Sequence, residues 1–191
     1  MLPNDRRYQF GGLLFLVSLT VFFVSSILLY AIYAYSRRGD VQSTAALPQS
    51  FLISTVCLIV ISGLVHMATR SVRRDRRVAT TTLLTISAMS GTIFMGVQFL
   101  AMSEMLAGPA LRGGTGKGVA GMVAVLALLH ALHVAGGVIA LGIVAMRSWK
   151  GCYDHERHWP VDFSAQYWHF LDGVWLFMLA AFWFTTGGFD F

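Results

Sequence analysis

An all-α membrane protein, a polytopic bundle of five transmembrane helices, is the fold class predicted by three observations. Hydrophobic residues make up 56% of the 191-residue chain and charged residues only 12%, where a soluble domain carries about 25% charged residues. Five stretches almost free of charge are each long enough to cross a bilayer, which takes about 20 helical residues. The basic residues fall between those stretches rather than along one amphipathic face. That distribution sets topology in a membrane protein, so the net charge of +5 is not read as a nucleic-acid footprint.

The spans are expected at 11–35, 47–69, 78–105, 119–146 and 164–186, as a single transmembrane domain. The first follows Arg6 and Arg7. Its charge-free run, from Gln9 to Ser36, is longer than the roughly 7–15 apolar residues of a secretory leader, so it reads as a retained helix. The second ends in Ser62-Gly63-Leu64-Val65-His66-Met67, just before the cluster Arg70, Arg73, Arg74, Arg76 and Arg77. The third carries Gly91 and Gly96, small residues that permit close helix contact, and reaches Glu104 near its outer end. His130 and His133 sit near mid-span on the fourth helix, followed by Gly136 and Gly137. The fifth opens with Tyr167-Trp168-His169-Phe170-Leu171-Asp172 and continues to Trp175.

Lys and Arg alternate in abundance across the connectors. Arg6, Arg7, the Arg70 to Arg77 cluster, Arg147, Lys150 and Arg157 fall on one side; Arg37, Arg38, Arg112 and Lys117 fall on the other. The richer side is inside, which puts the amino terminus inside and the carboxyl terminus outside. Cys57 lies in an apolar run and Cys152 in a polar connector, at different depths, so no disulfide or thiolate metal site is implied. The connector with Asp154, His155, Glu156, Arg157 and His158 reads as a solvated loop, with proton transfer as its functional alternative.

Ionisable residues inside a span are expensive and stand out as functional candidates. His169 and Asp172 share one helix face at i,i+3, as do His130 and His133. An aspartate at the centre of a span costs about 2.5–3.5 kcal/mol on insertion scales, so Asp172 needs a partner. The helix of His130 and His133, or a lipid headgroup, is the expected one. Trp168 and Trp175, seven residues apart, line the same side, and an interfacial aromatic belt is the simpler reading of that pair. His66 can bond a carbonyl or a lipid phosphate. The histidines are not spaced as opposed ligand pairs, so His130 and His133 are read as hydrogen-bonded packing residues with no haem or metal role.

The pattern Tyr-Trp-His-Phe-x-Asp-x-x-Trp-x-Phe from Tyr167 to Phe177 resembles the last helix of subunit III of the haem-copper respiratory oxidases. Leu129-His130-Ala131-Leu132-His133-Val134-Ala135-Gly136-Gly137 is similar to that family's preceding helix. The resemblance implies a non-catalytic subunit III of an oxygen-reducing, proton-pumping terminal oxidase. Subunits I and II would be its partners, with haem and copper in those partner chains and none in this one. Bound phospholipid, support of assembly and of proton uptake, and a bacterial cytoplasmic membrane follow from the same likeness. His66, Glu104, His130, His133, Trp168, His169, Asp172 and Trp175 then become structural, lipid-contact or subunit-contact candidates. A nitric oxide reductase or quinol oxidase version is the alternative within the family, and a small free-standing b-type cytochrome the alternative from another class.

Two positions depart from the family pattern. Leu19 stands where relatives carry an intramembrane glutamate, so no proton role is transferred to that position, and Ala101 stands where a glutamine is usual. Many relatives have seven helices, and this chain would begin at the third, with the first two absent or supplied by another chain.

Overall fold

The computed structural model describes residues 3–37, 50–107, 118–154 and 158–186. Those residues form five helices: α1 (Pro3–Ser36), α2 (Ser50–Arg73), α3 (Arg77–Ala107), α4 (Val119–Trp149) and α5 (Trp159–Thr186). All five are long and apolar enough to cross a membrane. Several run past the charge-free spans: α5 starts five residues before position 164 and α4 ends three after 146. Hydropathy marks where a helix leaves hydrocarbon; the backbone keeps its hydrogen bonds into the headgroup layer, where charged residues are tolerated.

Local signals account for the ends that face the basic side. The α2–α3 turn places Asp75 at φ 54, a left-handed conformation that aspartate adopts more readily than most residues. Gly151, at φ 70, follows α4. Its N–H donates to the Ser148 carbonyl at 2.9 Å and the Cys152 N–H to the Arg147 carbonyl at 3.1 Å. This pair of bonds is a Schellman ending, and glycine supplies the positive φ it needs. Pro160 lies in the first turn of α5, where its missing N–H would have had no helical partner.

Helices α2, α3, α4 and α5 pack in a ring, each against the next and α5 back against α2, while α1 lies outside against α5 and α4. The inward face of α1 is narrow, comprising Leu19, Phe23, Tyr30 and Ala34, with spacings of four and seven that put them on one stripe. The rest of α1 carries exposed apolar residues such as Leu13, Val17, Val21 and Leu28, which suits contact with lipid or another chain.

Tight approach between helices falls at three glycines. A Cβ at Gly12 on α1 would come within 2.7 Å of the Phe163 ring on α5. A Cβ at Gly91 on α3 would come within 2.8 Å of Val138 Cγ2 on α4, with the Trp168 ring behind it. A Cβ at Gly137 on α4 would meet Tyr167 of α5 at 3.0 Å. Gly96 and Gly136 behave differently: nothing lies within 4 Å of a Cβ at either. Only one glycine of each pair works as a close-contact position.

Overpacking a closed contact costs about 1–3 kcal/mol. Gly91→Leu is therefore expected to lower the thermal midpoint of the detergent-solubilised chain by several degrees, while Gly96→Leu leaves it nearly unchanged. Equal midpoints for the two variants in a melting experiment would remove the α3–α4 contact as the reason for Gly91.

Candidate functional site

The polar residues of the spans gather on the two seams that α5 makes with α2 and α4. On the α2 side, Ser62 Oγ and His169 Nδ1 are 2.5 Å apart, and the Ser62 hydroxyl also interacts with the Asp172 carboxyl. Both contacts are satisfied when His169 Nδ1–H donates to Ser62 Oγ and the Ser62 O–H donates to Asp172. Asp172 Oδ1 stays buried without a partner among the described residues. His66 completes the group: its ring lies 5.7 Å from that of His169. The partner expected for Asp172 was the helix of His130 and His133 or a lipid headgroup; the contact among the described residues is with Ser62 on α2. Position 172 lies on the side of α5 turned toward α2.

Two turns further along, the Trp175 indole N–H donates to Thr55 Oγ1 at 2.8 Å, and its ring meets Phe51 edge-on at 5.4 Å. Thr55 in turn donates to the Phe51 carbonyl at 2.8 Å. Trp168 and Trp175 are both almost fully buried, so they are core residues rather than an interfacial belt. Trp168 Nε1 has no hydrogen-bond partner among the described residues. Its ring fills the space beside Gly91.

On the α4 side, the Tyr167 hydroxyl donates to the His133 carbonyl at 2.9 Å, an approach that the bare Gly137 permits. The His133 Nδ1–H bonds the Leu129 carbonyl one turn back at 2.7 Å, and the ring packs on Phe23 at 4.9 Å. His130 is different. It is fully buried, stacked on Trp175 at 5.3 Å and 28°, and neither ring nitrogen has a partner among the described residues. Its role is set by aromatic contact, since its face of α4 looks onto Trp175 and Phe23 rather than onto a polar group.

At the basic end an ion pair ties α2 to α5. Arg73 Nη2 lies 3.0 Å from Asp162 Oδ2, and His158 Nε2 is 3.2 Å from the same oxygen. Asp162 sits in the first turn of α5, where the helix dipole favours an anion. Glu104 belongs to α3, but its side chain lies outside the described residues, as do His155, Glu156 and Arg157 of the connector. Among the described residues no group of three His, Cys, Asp or Glu is placed to hold a metal ion.

Sequence reasoning passed over Ser62 and Thr55. The signal was present: Thr55, Ser62 and Thr69 recur every seven residues and so share one face of α2, as Trp168 and Trp175 share one face of α5.

Together these features define an integral membrane helix bundle whose intramembrane polar groups join helix to helix. The family profile described as cytochrome c oxidase subunit III matches residues 4–186, and the chain belongs to that family. A cytochrome c oxidase subunit 3 of Synechocystis sp. is 28% identical over 174 residues, covering 88% of this chain and 71% of the relative. The subunit 3 of Petromyzon marinus is 26% identical over 187 residues, covering 92% and 69%; that of Artemia franciscana is 27% identical over 186, covering 92% and 68%. The chain is thus a subunit III of a haem-copper oxidase, and the reading as a small free-standing b-type cytochrome gives way to it.

Removing Ser62 would strand two polar groups at once, whereas Trp175→Phe removes one bond and leaves Thr55 bonded to its own helix. Interhelical bonds in membranes are worth about 0.6 kcal/mol on average, and a buried polar group left unpaired costs about 1–3 kcal/mol. Ser62→Ala should therefore destabilise the solubilised chain more than Trp175→Phe does. Unfolding of both variants in a mild detergent series tests the ranking, and the reverse order would break the proposed Ser62 relay.

Proposed function

We propose that this subunit packs beside subunit I of an oxygen-reducing, proton-pumping complex that also contains subunit II, supporting its assembly, its bound lipid and its proton uptake. The haems and copper of the reaction belong to those partner chains. The relatives, cytochrome c oxidase subunits themselves, favour a cytochrome c oxidase over a nitric oxide reductase or quinol oxidase. The same reading sets the chain in a bacterial cytoplasmic membrane with its amino terminus inside.

One observation carries the docking. His66 and His169 are both exposed on the outer surface of the α2–α5 seam, flanking the half-buried Asp172. Each is seven residues along its helix from the Arg73–Asp162 ion pair, about 10 Å deeper into the bundle's length. At that depth a lipid tail offers no hydrogen bond, and polar groups facing it are costly. A neighbouring protein surface with polar groups of its own removes that cost, so this seam is the face turned to subunit I. Of the other candidates, His130, His133, Trp168 and Trp175 serve the bundle behind it.

A leucine at position 66 suits lipid as well as any residue, so His66→Leu leaves the isolated chain folded. It is expected to lower recovery of the chain with subunit I several-fold, and Asp172→Ala should do the same, while the haem spectrum of subunit I stays intact. Full co-purification of both variants would remove this face as the contact, and an altered haem spectrum with full co-purification would put Asp172 in the chemistry instead.

Topology has its own check. Ten of the fourteen Lys and Arg residues are assigned to the inner side, so a reporter fused to the carboxyl terminus should be reached only from outside the cell. Labelling from the cytoplasm would invert the orientation.

A further inference from the structure

We infer that the outer groove between α3 and α4 is a binding site for one anionic phospholipid of the leaflet on the basic side. This rests on the lipid-holding part of the proposed function and names its ligand and place. The groove encloses about 710 Å³ between Thr85, Ala88, Met89 and Thr92 of α3 and Val138 to Lys150 of α4. No described residue of α1, which packs on α4 and α5, lines it.

Its walls change character along their length. Deep in the membrane they are Met89, Val138, Gly142 and Ile143. At the basic end stand Arg147, Trp149 and Lys150. That end is level with the α2–α3 turn, because Thr81 Oγ1 and Ser148 Oγ are 2.8 Å apart across the two helices. From Val138 to Lys150 the groove runs about 18 Å at 1.5 Å per residue, close to the roughly 15 Å of hydrocarbon in one leaflet. An acyl chain therefore fits with its headgroup at the charged mouth.

Charge selects the headgroup. Arg147 and Lys150, at the mouth of the groove itself, are exposed and among the described residues in no ion pair, Arg147 interacting only with the neutral Tyr153 hydroxyl. Two unpaired cations side by side over an apolar slot complement a phosphate with a net negative charge, each contributing to attraction at an anionic surface. Trp149 is fixed beside them by its indole N–H, which donates to Thr85 Oγ1 at 3.0 Å. That bond joins the two walls and holds an aromatic ring at headgroup level. A Cβ at Gly142 meets nothing within 4 Å, so the floor of the groove is open space beside a bare backbone.

Native mass spectrometry of the full chain, released from mild detergent after mixing with phosphatidylglycerol or phosphatidylcholine, tests the site. The wild type should retain one phosphatidylglycerol at least tenfold more readily than phosphatidylcholine. Arg147→Gln with Lys150→Gln should bring the two lipids to equal retention, about fivefold per charge removed. Gly142→Phe should fill the slot and abolish the retained lipid while the melting temperature holds. Equal retention of both lipids by the wild type, or an undiminished phosphatidylglycerol adduct on Gly142→Phe, would overturn the assignment. The count is made on the chain alone, so whether subunit I is recovered with it is decided separately.

Discussion

Hydrocarbon supplies no hydrogen-bond partner, and that single constraint governs where every polar side chain of the bundle can point. Most hydroxyls meet it alone. Thr20, Ser26, Thr80, Thr85, Ser87 and Thr92 each bond the carbonyl one turn back on their own helix. Residues without that option reach across instead. The indole of Trp175, the phenol of Tyr167 and the imidazole of His169 find partners on α2 or α4. Helix α5 is the common member of these bonds, so it acts as the polar spine of an otherwise apolar structure.

The same spine explains how the apolar packing is organised. Trp168 and Trp175 are the largest fully buried side chains, and both need neighbours that give way. Gly91 gives way to Val138 with the Trp168 ring behind it, and Gly137 gives way to Tyr167. Polar bonding and close packing therefore select the same positions: a large side chain of α5 faces a small residue or a hydroxyl on its neighbour. The Arg73–Asp162 pair closes this arrangement at the basic end, and the hydroxyl of Tyr30 on α1, bonded to Thr185, closes it at the other.

Much of this was legible in the sequence. Five helices followed from length and hydropathy, and the family from two motifs on the last two helices. The importance of His169 and Asp172 followed from the cost of charge in a span. What pairs with them did not follow, because a helix pattern gives the face a residue occupies on its own helix and not the rotation of its neighbour. Ser62 looked like an ordinary small residue near a histidine, and only its alignment with Thr55 and Thr69 hinted at a seam. The burial of Trp168 and Trp175 was hidden for a related reason: aromatic residues at that spacing suit an interface as well as a core. His130 was read as hydrogen-bonded on the strength of its polarity, yet its surroundings are aromatic.

The outlying position of α1 bears on how the chain is made. This helix leaves the ribosome before the other four, but the surfaces it packs against belong to the last two helices, with contacts such as Phe23 to Phe170 and Tyr30 to Phe182 spanning most of the sequence. During synthesis α1 has to wait in the bilayer, exposed on nearly every side, until α4 and α5 emerge. Contacts of such long sequence separation form slowly. The broad lipid-compatible surface of α1 is what lets a newly inserted helix wait without aggregating, so the feature that looks loosest in the finished bundle protects the unfinished one.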